Sequence, residues 1–365
     1  MKITKIETIT VGLPFQNPGP ESSFAIAEKN ILNSLLIKIE TNKGIVGWGE
    51  AFGYTSIETT KVALHSMIIP HLIGKTIETN DDIQSINKEL HLKLHVFGRY
   101  GITMFALSGI DIALWDILGK AENKSISELL GGLKVNSLKA YASLFLYDDA
   151  EATAKVSLEA KNKGYDIIKL HENTIAPIKS SREAIGDTAL MVDVNCVWSE
   201  DHMEEIRNTL TEVKLYWLEE PIWPPENYSG LSKLRDQGFI IASGENACTA
   251  YQFEEMISNK AADILQPSVT KVGGISEVVK IAALKKNNCR VVPHSPYFGP
   301  GFMATLQVIG ALTPDSEIER LYVNLKADLY NGASNIDSKG NISIPNGPGL
   351  GMEPNIEIIE KYSVL

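Results

Sequence analysis

The chain has 365 residues, 44% hydrophobic and 22% charged, with a formal charge of −11; this excess of acid argues against a nucleic-acid surface, which needs clustered Lys and Arg to neutralise phosphates. Its length exceeds one ordinary core and predicts a large domain with a smaller companion. Three widely spaced cysteines, Cys196, Cys248 and Cys289, form no CxxC pair, no apolar run approaches the roughly 18 residues of a membrane span, and Met1–Lys5 opens a strand rather than a signal peptide, so a reduced, cytoplasmic protein without a membrane partner is expected.

Residues 3–14 and 34–50 alternate apolar and polar positions around a turn at Asn42-Lys43-Gly44, the pattern of an antiparallel sheet. Helical periodicity follows near 57–73, 82–95 and 100–121, the last containing LSGIDIALWDILGK, whose small residues suit close packing. Residues 1–132 therefore read as an α+β domain ending at Leu129-Leu130-Gly131-Gly132. From Asn136 onward strand and helix alternate, with strands expected at 137–145, 165–171, 189–194, 214–219, 239–244, 262–266, 289–293 and 317–323. Eight such strands predict a closed α/β barrel over residues 133–324 rather than an open sheet. The remaining segment, 325–365, contains the hairpin-like IDSKGNISIPNGPGLG and is expected to return to the first domain.

Three acids end successive barrel strands: Asp193 in MVDVN, Glu219 in YWLEEP and Glu245 in ASGEN, at equal intervals of 26 residues. One strand, loop and helix occupies roughly 30 residues of a (β/α)8 barrel, so the three carboxylates should converge at its C-terminal mouth, where barrels carry out chemistry. Converging anions need a cation to coexist. An all-oxygen ligand set without His or Cys suits a hard dication, Mg²⁺ with Mn²⁺ as a substitute, and leaves positions open for a substrate carboxylate. Strand period places Lys169 with His171, and Asp193 with Asn195, on the inner face. Lys169 is expected to offset the surplus negative charge and hold a substrate anion.

With these residues in place, the chain resembles the mandelate racemase/muconate lactonizing enzyme group of the enolase superfamily over nearly its whole length. The likeness rests on SGIDIALWDILGK, ELLGG, Lys169-x-His171, Asp193-x-Asn195, LEEP at 218–221, GEN at 244–246, KVGG at 271–274, PHS at 293–295 and PGLG at 348–351. The resemblance implies a modified (β/α)7β TIM barrel, an α+β capping domain built from the N-terminal region and the C-terminal tail, one Mg²⁺, and removal of the proton α to a carboxylate. Lys or His bases working with a dication are a general pattern of that superfamily. It also implies dimers or larger homo-oligomers, and it points to loops 15–30 and 53–55, the latter with Tyr54, closing over a mouth that Tyr297 also approaches. Substrate contacts are expected at Asn195, Ser268, Glu319, Tyr54 and Tyr297, with Glu319 a donor if protonated.

The chain departs from the family's commonest pattern twice. His171 stands where the racemase type has the second Lys of Lys-x-Lys, and Ser268 stands where an Asp orients the base equivalent to His294. A neutral His171 remains a usable base, and a serine orients an imidazole without supplying charge. The expected activity is Mg²⁺-dependent dehydration of a hydroxylated acid such as an acid sugar, with Lys169, His171 and His294 catalytic. Racemisation or lactone cycloisomerisation is the alternative through the same enolate, and a metal- and carboxylate-binding protein without turnover is the alternative of another class, motivated by Ser268. His91 and His95 lie one helical turn apart without an HExxH glutamate and read as helix-surface residues, Lys271-Val272-Gly273-Gly274 reads as a strand-to-helix turn, and Glu200, Asp201, Glu204 and Glu205 read as a solvated helix start.

Overall fold

The computed structural model describes residues 1–20, 30–284 and 289–364; the part of the 15–30 loop at 21–29 lies outside the described residues. The chain opens with three antiparallel strands, β1 (Ile3–Gln16), β2 (Ile31–Thr41) and β3 (Val46–Ala51), with the expected turn between the last two closed by Gly44 at φ +76. Helices α1 (Ile57–Ala63), α2 (Asn80–Leu94), α3 (Gly101–Glu122) and α4 (Ile126–Leu129) follow. The helix expected over 57–73 is regular only to Ala63; a π turn over 64–68 and a 3-10 turn over 69–71 complete it. Thr79 and Asp82 form a reciprocal capping box that starts α2, satisfying N–H groups that lack intrahelical partners.

Helix α3 meets the length and apolarity of a membrane span, contrary to the sequence reading, yet most of it is buried inside the protein. It packs against β3, where a Cβ on Gly49 would lie 2.0 Å from the Gly109 carbonyl oxygen, so glycine alone permits this approach. Two buried acids on α3 stitch the molecule together. Asp116 accepts from the Trp48 and Leu350 amides at 2.8 and 2.9 Å and pairs with Lys120 at 2.8 Å. Asp111 accepts from the Ser276 amide at 3.0 Å and from the Asn87 and Ser276 side chains. Burial pushes both carboxyls up to about 6.

The second unit alternates strand and helix: β4 (Ser137–Ser143), α5 (Ala150–Asn162), β5 (Ile167–Leu170), α6 (Ile175–Ile185), β6 (Ala189–Asp193), α7 (Glu200–Val213), β7 (Trp217–Glu219) and α8 (Tyr228–Asp236). It continues with β8 (Ile241–Ser243), α9 (Thr249–Ser258), β9 (Ile264–Leu265), α10 (Ile275–Ala283), β10 (Arg290–Val291), α11 (Pro300–Leu312) and β11 (Ile318–Leu321). Eight parallel strands in the order β10-β9-β8-β7-β6-β5-β4-β11, with seven helices between them, make a (β/α)7β barrel. Across the β10/β11 seam, Ser316 Oγ donates to the Val291 carbonyl and the Ser295 amide to Glu319 at 2.8 Å.

Inside the barrel, Tyr141, Ile167, Met191 and Trp217 form an apolar layer, each two residues before Ser143, Lys169, Asp193 and Glu219 respectively. Period two therefore sets a polar layer directly above an apolar floor. The tail serves both units: β12 (Asn324–Leu325) and β14 (Ser363–Val364) pair with β1, whereas β13 (Asn341–Ser343) pairs with β4, and α12 (Ile356–Tyr362) precedes β14.

Candidate active site

Asp193 and Glu219 close β6 and β7, and Glu245 follows β8 after Gly244 at φ +127. A side chain at Gly244 would be strained in that backbone and would meet the Phe253 ring at 2.7 Å, so the turn that brings Glu245 to the mouth requires glycine. One oxygen from each of the three acids lies within 4.8 Å of the others. Oxygen donors at that spacing fit a hard cation, and no other group of three or more His, Cys, Asp or Glu meets this way among the described residues. His91 and His95 accordingly lack a third ligand. Asn195, Cys196 and Glu220, just beyond β6 and β7, have φ of +46, +60 and +42. Left-handed non-glycine residues are costly and collect at functional sites.

Lys169 sits among these acids with no solvent exposure, its Nζ 3.1 Å from Asp193, 2.8 Å from Glu219 and 2.9 Å from Glu319. Burial opposes its charge, but Glu219, Glu319 and Asp193 outweigh burial and hold the ammonium well above the usual lysine range. Burial likewise raises Asp193, yet Lys169 and His171 outweigh it and hold that carboxyl below its ordinary value. Glu219 goes the other way, pushed up by burial and then by the charge of Asp193. For Glu245, His294 and Lys271 overcome burial and lower the carboxyl.

His171 and His294 flank the acids from opposite sides. His171 Nε2 is 3.2 Å from Asp193, and its Nδ1 donates to the Leu144 carbonyl, so the ring is held with Nε2 toward the acids. His294 Nε2 is 3.0 Å from Glu245, and its Nδ1 is 3.4 Å from the Tyr297 hydroxyl. That hydroxyl is in turn bonded to Ser268. Ser268 thus reaches the imidazole only through Tyr297.

A cavity of about 390 Å³ opens onto His171, Asn195, Glu245, His294, Glu319 and Tyr54. Ser268 and Tyr297, expected as substrate contacts, do not line it; the serine is wholly buried with its hydroxyl turned to Tyr297, and Tyr297 lines an adjoining cavity together with Phe52 and Tyr54. Glu319 accepts from Ser143 at 2.8 Å, Lys169 at 2.9 Å and the Ser295 amide at 2.8 Å. Although burial raises it, Lys169 and His294 hold it below the usual carboxylate range, and the Ser143, Lys169 and Ser295 contacts all donate to it. The sequence reading missed the walls: Phe52 and Phe105 from the capping unit, Ser143, Phe145 and Leu321 from the barrel, and Asn246 and Lys271 beside Glu245. A lysine in the loop after a barrel strand, in Lys-Val-Gly-Gly, was the available signal for the last.

Comparison with known proteins agrees with this geometry. Residues 7–131 match the mandelate racemase/muconate lactonizing enzyme N-terminal domain and residues 151–358 the enolase C-terminal domain-like family. The chain is 32% identical to a D-galactarolactone cycloisomerase of Agrobacterium fabrum, covering 99% of each, and 31% identical to an arabinonate dehydratase of Saccharolobus solfataricus, covering 89% of each. Its fold superposes on a 3,6-anhydro-D-galactonate cycloisomerase from Zobellia galactanivorans with a TM-score of 0.84 at 28% identity, covering 100% of both chains. From capping sheet to final barrel strand, the chain belongs to the mandelate racemase/muconate lactonizing enzyme family of the enolase superfamily.

Proposed function

We propose that this lyase or isomerase abstracts the proton α to the carboxylate of an acid sugar with the help of Mg²⁺, and that the resulting enolate loses a β-hydroxyl to give a 2-keto acid. The observation that carries the reading is the pair of imidazole Nε2 atoms held on opposite sides of three converging carboxylates, at 3.2 Å from Asp193 and 3.0 Å from Glu245. Bound at Asp193, Glu219 and Glu245, Mg²⁺ supplies positive charge to carboxylate oxygens that must accept a second negative charge. His171 takes the α-proton at Nε2, because its Nδ1 is committed to the Leu144 carbonyl. Lys169, whose Nζ meets Asp193, Glu219 and Glu319, stabilises charge at the floor of the site. His294 delivers a proton from the other side; its Nδ1 faces the Tyr297 hydroxyl, which Ser268 bonds in turn, where the family's commonest pattern has a carboxylate.

Cycloisomerisation is the second reading, favoured by the names of two relatives and sharing the same first step. Incubation with Mg²⁺ and a panel of acid sugars and their lactones in D₂O separates the outcomes. Loss of water with a 2-keto product supports the dehydratase, ring opening or closure supports the isomerase, and a broad panel without α-exchange contradicts both.

A further inference from the structure

The two long walls of the cavity carry different bases. β5 supplies Lys169 and His171; four strands away in the ring of eight, the turn after β9 supplies Lys271, so the two lysines face one another across the barrel axis. Gly273 and Gly274, at φ +115 and +85, make the segment a turn in its backbone, but the Lys271 side chain reaches back into the mouth. It is only 6% exposed, and a lysine that deeply placed needs its charge satisfied.

Its partners are few and fixed. Nζ donates to Asn246 Oδ1 at 3.1 Å, lies 3.6 Å from Glu245 Oε1, and sits 4.9 Å from the centre of the Phe52 ring. Asn246 is itself oriented, because its amide donates to both Glu220 oxygens at 3.3 and 3.1 Å. Only the Asn246 contact is a full hydrogen bond, the Glu245 contact is long, and no other acceptor bonds Nζ among the described residues. An ammonium has three donors, so Lys271 retains capacity toward the cavity. Its neighbour Glu245 belongs to the cation seat, which places any oxygen that Nζ meets close to the substrate's reacting end.

Resting on the elimination proposed above, the geometry points to Lys271 as a catalytic residue that binds the departing β-oxygen on the wall opposite His171. The α-proton passes to His171 Nε2 and the C–H electron pair, by way of the enolate, forms the Cα–Cβ double bond. The Cβ–O bond breaks with its pair on oxygen, and a proton from His294 completes water or, where a ring opens, a hydroxyl. Lys271 keeps its own protons throughout and stabilises the oxygen while charge develops there. The enol then tautomerises to the 2-keto acid. Phe52, Phe105 and Phe145 bring no hydrogen-bonding group to the cavity, and Lys271 places one beside Phe52.

The test compares α-exchange with elimination in wild type and Lys271→Met, using a β-hydroxy acid and its β-chloro analogue, with Mg²⁺ affinity measured by calorimetry. Lys271→Met should lower elimination of the β-hydroxy acid about 10²-fold, lower α-exchange by less than about tenfold, and leave chloride elimination and Mg²⁺ affinity within about threefold. Lys271→Arg should recover part of the elimination, and Lys271→Gln gives the same comparison should the methionine variant fail to fold. Exchange and elimination falling together, or a Mg²⁺ affinity that falls with them, overturns the assignment alone. A wild-type enzyme that exchanges no α-proton overturns the proposed function and this assignment with it.

Discussion

The molecule holds two sets of buried acids that differ in what surrounds them. At the joint between the capping unit and the barrel, Asp111 stands among amide and hydroxyl donors and Asp116 among amide and amine donors. At the barrel mouth Asp193, Glu219, Glu245 and Glu319 crowd one another and share Lys169, His171, His294 and Lys271. Burial is common to both. What separates structure from chemistry is mutual repulsion relieved by groups that another cation or a substrate can replace.

The sharpest way to break this contrast is at the mouth. His171→Ala should lower α-exchange by about 10³-fold or more while leaving the melting temperature nearly unchanged, read by NMR in D₂O and by thermal unfolding. Unimpaired exchange would remove His171 as the base. At the joint the opposite split is expected: Asp116→Ala leaves the Trp48 and Leu350 amides without their acceptor and Lys120 with only Glu353 and the Val46 carbonyl, costing about 3 kcal/mol in denaturant unfolding, with exchange by the remaining folded enzyme retained.

A finer comparison uses pH. The folded carboxyl of Asp111 is raised to about 6 from its ordinary 3.8, so its contribution to stability is present below pH 3.8 and is lost as pH rises through about 6. Asp111→Asn should remove its share of the slope, on the order of 3 kcal/mol across the window, and leave that of Asp116, in unfolding measured from pH 4 to 7; an unchanged slope would place the titration elsewhere. The smallest effect is expected at Ser268→Ala, which loosens Tyr297 rather than touching substrate, and should reduce turnover only about threefold to tenfold without altering KM.

The mouth acids were legible because each ends an apolar run, and strand parity then aims Lys169 and His171 inward without tertiary information. The barrel was legible through the same alternation of strand and helix. Lys271 was not, because its turn has no period from which a side-chain direction follows. The Tyr297 hydroxyl between Ser268 and His294 was equally hidden, since the resemblance implied only a direct Ser268–His294 pairing. Phe52 and Phe105 come from another unit of the fold, and nothing local in their sequence marks them as cavity walls. The break after Ala63 marks the limit of periodicity itself, which registers an apolar face through a π turn as readily as through an α-helix.

Calorimetric titration with Mg²⁺, run in parallel on wild type, Glu219→Gln and Asp111→Asn, addresses the contrast between the two sets of acids directly. Wild type and Asp111→Asn should bind one equivalent with matching affinity, while Glu219→Gln should bind at least about 10²-fold more weakly. Equal affinity in Glu219→Gln, or a loss confined to Asp111→Asn, would show that the mouth carboxylates are not the cation seat.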